Sequence, residues 1–227
     1  MSACAMQIVS RSLRGIVALA ACVPAFVSAG GPVHGGRAAA MGTAFVGLAD
    51  DPSAFAYNPA GLALLNPQRH LYGGATLVAP ATTYRSPAGQ TEDTELQVFA
   101  PPHLYYLPKA TGPDRRFGIG VFAPFGVGGR KWSSHGLTRY ASTESLIGTL
   151  AINPTLAGRL APALHAGFGL DLMLVKSLSR LKTNQSLLGA DDGKVNIKSG
   201  GAGLGFNAGL LYAPSPTWSI GAAYRSK

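Results

Sequence analysis

SLIGTLAINPTLAGRL, residues 145–160, decides the fold, because its even positions are Leu146, Gly148, Leu150, Ile152, Pro154, Leu156, Gly158 and Leu160. Its odd positions include Ser145, Thr149, Asn153, Thr155 and Arg159. A strand turns successive side chains to opposite faces, so a period of two predicts one apolar and one polar face. The pattern repeats downstream. Leu164, Ala166, Phe168, Leu170, Leu172 and Leu174 oppose His165, Gly167, Gly169, Asp171 and Met173; Leu204, Phe206, Ala208, Leu210 and Tyr212 oppose Gly203, Gly205, Asn207 and Gly209. Trp218, Ile220, Ala222 and Tyr224 alternate with Thr217, Ser219, Gly221 and Arg225. Upstream, Phe117, Ile119, Val121, Ala123, Phe125 and Val127 alternate with a face holding Arg116, Gly118, Gly120 and Gly126. Residues 69–79 and 94–107 are weaker strand candidates, broken by Gly73-Gly74 and Pro101-Pro102.

The content of the second face separates a soluble sandwich from a membrane barrel. It carries Gly, Asn, Thr, Asp and Arg, with few of the Lys/Glu pairs that a water-exposed sheet requires. A polar lumen inside a lipid-facing wall fits this better than a secreted sandwich. Aromatics near strand ends, Tyr105 and Tyr106, Trp132, Tyr212, Trp218 and Tyr224, are placed as interfacial girdles. The polar stretches Arg130 to Glu144 and Leu181 to Ser199 are expected as outer loops.

Composition agrees. The chain has 227 residues, 13% charged and 47% hydrophobic, with 30 Gly and 16 Pro, which suits neither a water-soluble helical enzyme nor a disordered tail. Its formal net charge is +9, but the basic residues are scattered rather than clustered, so no nucleic-acid partner is expected.

Arg11 and Arg14 precede an apolar run from Ile16 to Val27 that ends in Val27-Ser28-Ala29, the pattern of a secretory signal peptide over residues 1–29. At roughly a dozen residues this run falls short of the about 20 that span a bilayer as a helix. A competing reading takes Leu19-Ala20-Ala21-Cys22 as a lipoprotein box. The apolar residues that continue to Val27 and the small-residue site at Ala29 favour cleavage there. That cleavage would remove Cys4 and Cys22 and exclude disulfides and thiolate chemistry; losing two arginines lowers the charge from +9 to +7.

Residues 30–67 read differently: short Ala-rich pieces alternate with breakers, Asp50 or Asp51 is a candidate helix cap, and Asn58-Pro59 starts a turn. So small a segment cannot bury its own core and must lie against something else.

The run Gly35-Gly36-Arg37-Ala38-Ala39-Ala40-Met41-Gly42-Thr43-Ala44, then Asp50-Asp51-Pro52-Ser53 and Asn58-Pro59-Ala60-Gly61-Leu62, resembles the N-terminal plug of the FadL family. These are outer-membrane transporters of long-chain fatty acids and other hydrophobic compounds. Phe117-Gly118-Ile119-Gly120, Gly167-Phe168-Gly169-Leu170, Gly205-Phe206-Asn207-Ala208-Gly209-Leu210-Leu211-Tyr212 and Ala223-Tyr224-Arg225-Ser226-Lys227 extend the resemblance over the mature chain. It implies an all-β fold, a transmembrane antiparallel β-barrel of about fourteen strands closed by a plug, of which about seven are present here. Residues 68–227 would then be the N-terminal half of the barrel. The chain ends in Arg225-Ser226-Lys227, without a terminal aromatic strand, so the expectation is a fragment or an assembly completed from elsewhere. An eight-stranded barrel would fit the length but leave the plug unexplained.

The resemblance also implies a task and sites. Ligand enters at outer loops, binds above the plug and leaves sideways where the third strand, Arg116 to Gly129, kinks. Pro124, Phe125 and Gly126 mark that kink, since Pro cannot donate to the ladder and Gly permits a bulge. The plug motif is Asn58, Pro59, Ala60 and Gly61. Lys176 stands where the family has a cation for a fatty-acid carboxylate, although its parity is that of Leu170, Leu172 and Leu174. The implied partners are a hydrophobic small molecule (long-chain fatty acid or hydrocarbon), outer-membrane lipid and lipopolysaccharide, and the barrel-assembly machinery. Adhesin or receptor action, or a non-functional fragment, is the alternative. No Gly-x-Ser-x-Gly elbow, metal-spaced His pair or phosphate loop is present, so no catalytic residue, metal or cofactor is expected.

Overall fold

The computed structural model describes residues 3–10 and 33–226, with side chains over 33–226. The cleavage site expected at Ala29, and Cys22, lie outside the described residues. One antiparallel sheet dominates. Its strands are β1 (Ala3–Ser10), β2 (His70–Ala75), β5 (Pro102–Leu107), β6 (Arg115–Phe122), β7 (Val127–Lys131), β8 (Glu144–Ala161), β9 (Leu164–Thr183), β10 (Gly193–Ser215) and β11 (Trp218–Arg225). The order is β1-β11-β10-β9-β8-β6-β5-β2, with β7 also on β8, while β3 (Thr83–Arg85) and β4 (Thr91–Asp93) form a separate hairpin. Among the described residues the sheet does not close, and β1 and β2 are its edges.

The alternation places the odd residues of β8 to β11 inward. Asn153, Thr155, Asp171, Asn207 and Ser219 are buried, whereas Leu156, Phe168, Leu170, Leu172, Leu174, Leu204 and Leu210 are exposed on the other side. Segment 33–67 covers the inward face with two short helices, α1 (Gly36–Ala40) and α2 (Ala54–Tyr57), and a 3-10 turn, Pro59–Leu64. Its core joins Ala49, Ala54, Phe55 and Leu62 to Tyr105, Leu107, Phe122 and Ala157 of the sheet. This is the burial that so short a segment could not provide for itself.

Several details differ from expectation. The weak candidates resolve into β2, which runs through Gly73-Gly74, and β5, which starts at Pro102, a position where a missing N–H costs no ladder bond. The loop expected over Leu181 to Ser199 shrinks to residues 184–192, because β9 and β10 continue as a paired ribbon to Thr183↔Gly193. Backbone pairing needs no continuous apolar face, so a ribbon of mixed polarity continues beyond the apolar belt. Tyr105 is not a girdle residue: it is fully buried and stacks on Phe55 with ring centroids 5.5 Å apart. Trp132 is also buried. Tyr212 and Trp218 do meet at the outer surface, 5.9 Å apart, beside the tight β10–β11 turn. Ser53, not Asp50 or Asp51, is the N-cap residue of α2, although Asp51 Oδ1 accepts from the Ser53 N–H at 2.7 Å, two residues on.

Candidate functional site

Two places combine buried polar groups with irregular backbone, and both lie where segment 33–67 meets the sheet. The first is the seat of Asn58. This residue is fully buried and caps the 3-10 turn: its Oδ1 accepts from the Ala60 N–H at 3.1 Å. Its Nδ2 donates to the carbonyls of Val46 at 2.9 Å and Leu210 at 3.0 Å, tying the turn to its own segment and to β10. Pro59, Ala60 and Gly61 are buried with it. The wall makes room through glycine. A Cβ at Gly209 would overlap the Asn58 side chain, and one at Gly167 would overlap the Pro59 backbone.

Beside Asn58, a chain of inward polar residues from four strands, β8 to β11, holds α2. The Phe55 carbonyl accepts from Asn207 Nδ2 at 3.1 Å and from Arg225 Nη2 at 2.9 Å. Arg225 Nη1 pairs with Asp171 Oδ2 at 2.5 Å, and that carboxylate side chain is 1% exposed. Asn153 Nδ2 donates to Asp171 Oδ1 at 2.8 Å, and Thr155 donates to Asn153 Oδ1 at 2.5 Å. Ser219 Oγ donates to the Gly47 carbonyl at 2.6 Å. Each charge is paired and hydrogen-bonded, the condition under which burial is tolerated.

The second place is the break in the third strand, counting β2 and β5 as the first two. The stretch expected as one kinked strand, Arg116 to Gly129, is divided into β6 and β7. Pairing with β8 runs to Phe122↔Ala151 and resumes at Val127↔Gly148, so four residues, 123–126, stand against two, 149–150. Pro124 and Phe125 form the turn, and Gly126 takes φ 84°, a value favouring glycine. Thr149 fastens the bulge: its hydroxyl donates to the Gly126 carbonyl at 2.9 Å and accepts from the Phe125 N–H at 3.2 Å. On the opposite side, pairing with β5 ends at His103↔Phe122, and the next backbone bond is Glu95 N–H to the Lys131 carbonyl at 2.8 Å. Between them the described residues of the second and third strands share no backbone hydrogen bond. Phe125, Leu96 and Val98 are exposed at this gap.

The start of the inner segment stands at the gap's edge. The His34 ring packs edge-on against Phe122, centroids 5.2 Å apart, and 6.1 Å from His103. Its backbone N–H donates to the Tyr57 hydroxyl at 3.0 Å. Burial, with the His103 ring and the Arg225 cation nearby, lowers the His34 pKa to about 3, so the ring is neutral.

The structure thus gathers Asn58, Pro59, Ala60 and Gly61 at one seat and Pro124, Phe125 and Gly126 at one break. It does not bring Lys176 to either. Lys176 lies opposite Gly148 and Gly200 in unbroken register, exposed on the outward face. The inward parity of Asp171 marks it as a wall residue able to contact the inner segment, but the sequence gives neither its partner Arg225, nor Thr149 as a fastener, nor His34. Their only signal was odd, inward parity, or, for His34, its place in the Gly-rich run.

The family model for the outer membrane protein transport protein (OMPP1/FadL/TodX) matches residues 17–227. Among solved structures, the chain is similar to the toluene transporter TbuX of Ralstonia pickettii, with TM-score 0.64 and 19% identity over 78% of this chain and 52% of that one. It is similar to the P. putida toluene transporter TodX, with TM-score 0.63 and 18% identity over 78% and 51%. For a Pseudomonas aeruginosa FadL homologue the values are TM-score 0.61 and 16% identity over 81% and 49%. The chain spans about half the length of these structures. A search of the curated proteins finds no match. An unclosed antiparallel sheet that carries an inner segment on its polar face, together with a family match over nearly the whole chain, shows that this chain belongs to the FadL/TodX family of outer-membrane transport proteins.

Proposed function

We propose that residues 30–67 are a plug and residues 68–227 the N-terminal half of a barrel that takes up hydrophobic compounds, long-chain fatty acids or aromatic hydrocarbons, across the outer membrane. Export would be accompanied by cleavage after Ala29, and the barrel-assembly machinery would then insert the strands. The compound binds above the plug and leaves sideways into lipid between the second and third strands. An apolar solute gains by this route, since it exchanges a greasy pocket for hydrocarbon without crossing a water column. The observation that carries the reading is the break at Ala123–Gly126, where pairing with β5 is lost beside the buried start of the inner segment.

Deleting Pro124 and Phe125 leaves two residues against two and restores the ladder between β6 and β8. In cells that express the chain together with the strands that complete its barrel, uptake of radiolabelled oleate and of labelled toluene should fall at least tenfold, with the heat-dependent gel mobility of the folded barrel retained. Unchanged uptake of both compounds would refute lateral exit here. Loss of one alone would assign the substrate class.

A further inference from the structure

The outward face of β9 and β10 changes character abruptly along its length. From Ala166 to Leu174 on β9, and from Ala202 to Tyr212 on β10, its outward positions are apolar. The next outward residue beyond Leu174 is Lys176. Leu178, Arg180 and Lys182 follow on the same face, and Lys198, Asn196 and Lys194 share it on β10; the Lys182 side chain is only 13% exposed. Lys182 lies directly opposite Lys194, and Lys176 opposite Gly200; Lys198 therefore falls diagonal to both Lys176 and Arg180. Five cations interlock on two strands, at spacings where like charges repel.

The protein's own anions do not balance them. Among the described residues, Glu144 pairs with Arg180 at 2.5 Å, and Asp192 is shared between Arg139 at 3.4 Å and Lys182 at 3.9 Å. Lys176, Lys194 and Lys198 make no ion pair among the described residues. The cluster lies at the end of the sheet with the longer connections, 132–143 and 184–192, whereas the other end has two-residue links at 162–163 and 216–217. In membrane barrels the longer loops face outward from the cell. The cations therefore begin at the upper boundary of the apolar belt. From Lys176 to the level of Lys194, which lies opposite Lys182, they climb about 20 Å along the strand, at about 3.3 Å per residue. A single phosphate layer is thinner than that climb, whereas a phosphorylated sugar headgroup offers anions at several depths.

The geometry points to a phosphate-binding face, formed by Lys176, Arg180, Lys194 and Lys198, that holds the phosphorylated headgroup of an outer-leaflet glycolipid. Repulsion among the lysines is relieved by the lipid phosphates, and each ammonium–phosphate contact is charge-assisted. The inference rests on the outward orientation of this face and not on what passes through the lumen, so a failed uptake assay leaves it standing.

The test titrates the detergent-solubilised chain, purified together with the strands that complete its barrel, with lipopolysaccharide bearing its phosphates, and with the same lipid after enzymatic removal of phosphate, and reads bound lipid by native mass spectrometry. The parent should bind the phosphorylated form at least tenfold more tightly, and less tightly as salt rises. The triple variant Lys176→Gln/Lys194→Gln/Lys198→Gln should lose at least tenfold, while Lys109→Gln in the β5–β6 link should not change. Equal binding of the two lipids by the parent, or displacement of the lipid by millimolar inorganic phosphate, would overturn the proposal, as would parental affinity in a folded triple variant. Should that variant not fold, the triple Lys→Arg variant must retain parental binding, and the comparison of the two lipids on the parent decides alone.

Discussion

Asn58 shows how much one buried amide can carry. Its two functional ends serve different partners, since the oxygen caps a turn and the nitrogen reaches two carbonyls that are twelve and 152 residues away in sequence. Asn58→Ala should destabilise the docked segment by on the order of 2–4 kcal/mol, because buried partners lose their hydrogen bonds. Asn58→Asp should be worse although it keeps the cap, because a carboxylate would face the Val46 and Leu210 carbonyls. Limited proteolysis of residues 33–67 in the folded protein measures both, and an aspartate variant as resistant as the parent would contradict the bridging role. His34 gives a second prediction at this scale. Its folded pKa, about 3, lies below the ordinary 6.5, so the displaced segment binds the extra proton between these values. Docking is therefore strongest above pH 6.5 and weakens as pH falls towards 3, by at most about 1.4 kcal/mol per unit. Proteolysis between pH 8 and pH 5 should show increasing cleavage at the start of the segment, and His34→Phe should flatten that dependence.

Among the elements, the third strand and the strand glycines matter most. The β6–β7 break is a local insertion held by Thr149, so Thr149→Val keeps the shape while removing the hydroxyl that binds Gly126 and Phe125. Hydrogen exchange at the Phe125 amide should rise about tenfold, the equivalent of about 1.4 kcal/mol. Exchange in β9 should be unaltered. Inward glycines act in the opposite sense, by closeness rather than looseness. Gly167→Ala would push a methyl group into the Pro59 backbone, which cannot yield as a flexible side chain can, so the inner segment must shift away from β9. Proteolytic release of residues 33–67 at a lower urea concentration is the expected result.

Across the whole molecule the governing fact is an open sheet in a setting that penalises open edges. Unpaired N–H and C=O groups in lipid cost several kcal/mol each, so only closed barrels satisfy every strand. Among the described residues β2 lacks a partner on one side, while β11 is covered by Ala3–Ser10, a stretch within the expected signal peptide. If cleavage exposes the β11 edge, residues 30–227 alone in lipid vesicles should show no heat-dependent gel mobility. Supplying the strands that complete the barrel should restore it. Heat-modifiable folding of residues 30–227 by themselves would mean that the two edges find each other.

The sequence by itself determined the strand period, the apolar belt, the polar inner face, the loop-rich segment that must be covered, and the sites of the turn and the break. All of these follow from local rules: side-chain alternation, a ring without an N–H, an amide that caps its own turn. What only the tertiary structure decided is which inward residues meet which part of the segment. Tyr105 and Tyr106 are equivalent in composition, yet register turns Tyr105 onto Phe55 and leaves Tyr106 on the outer face. Arg225 reads as part of a polar terminus until β11 is set beside β10 and within reach of Asp171 and Phe55. Such pairings join residues 54 and 170 positions apart. No local periodicity encodes them, because they exist only once several strands have fixed their register around a common core.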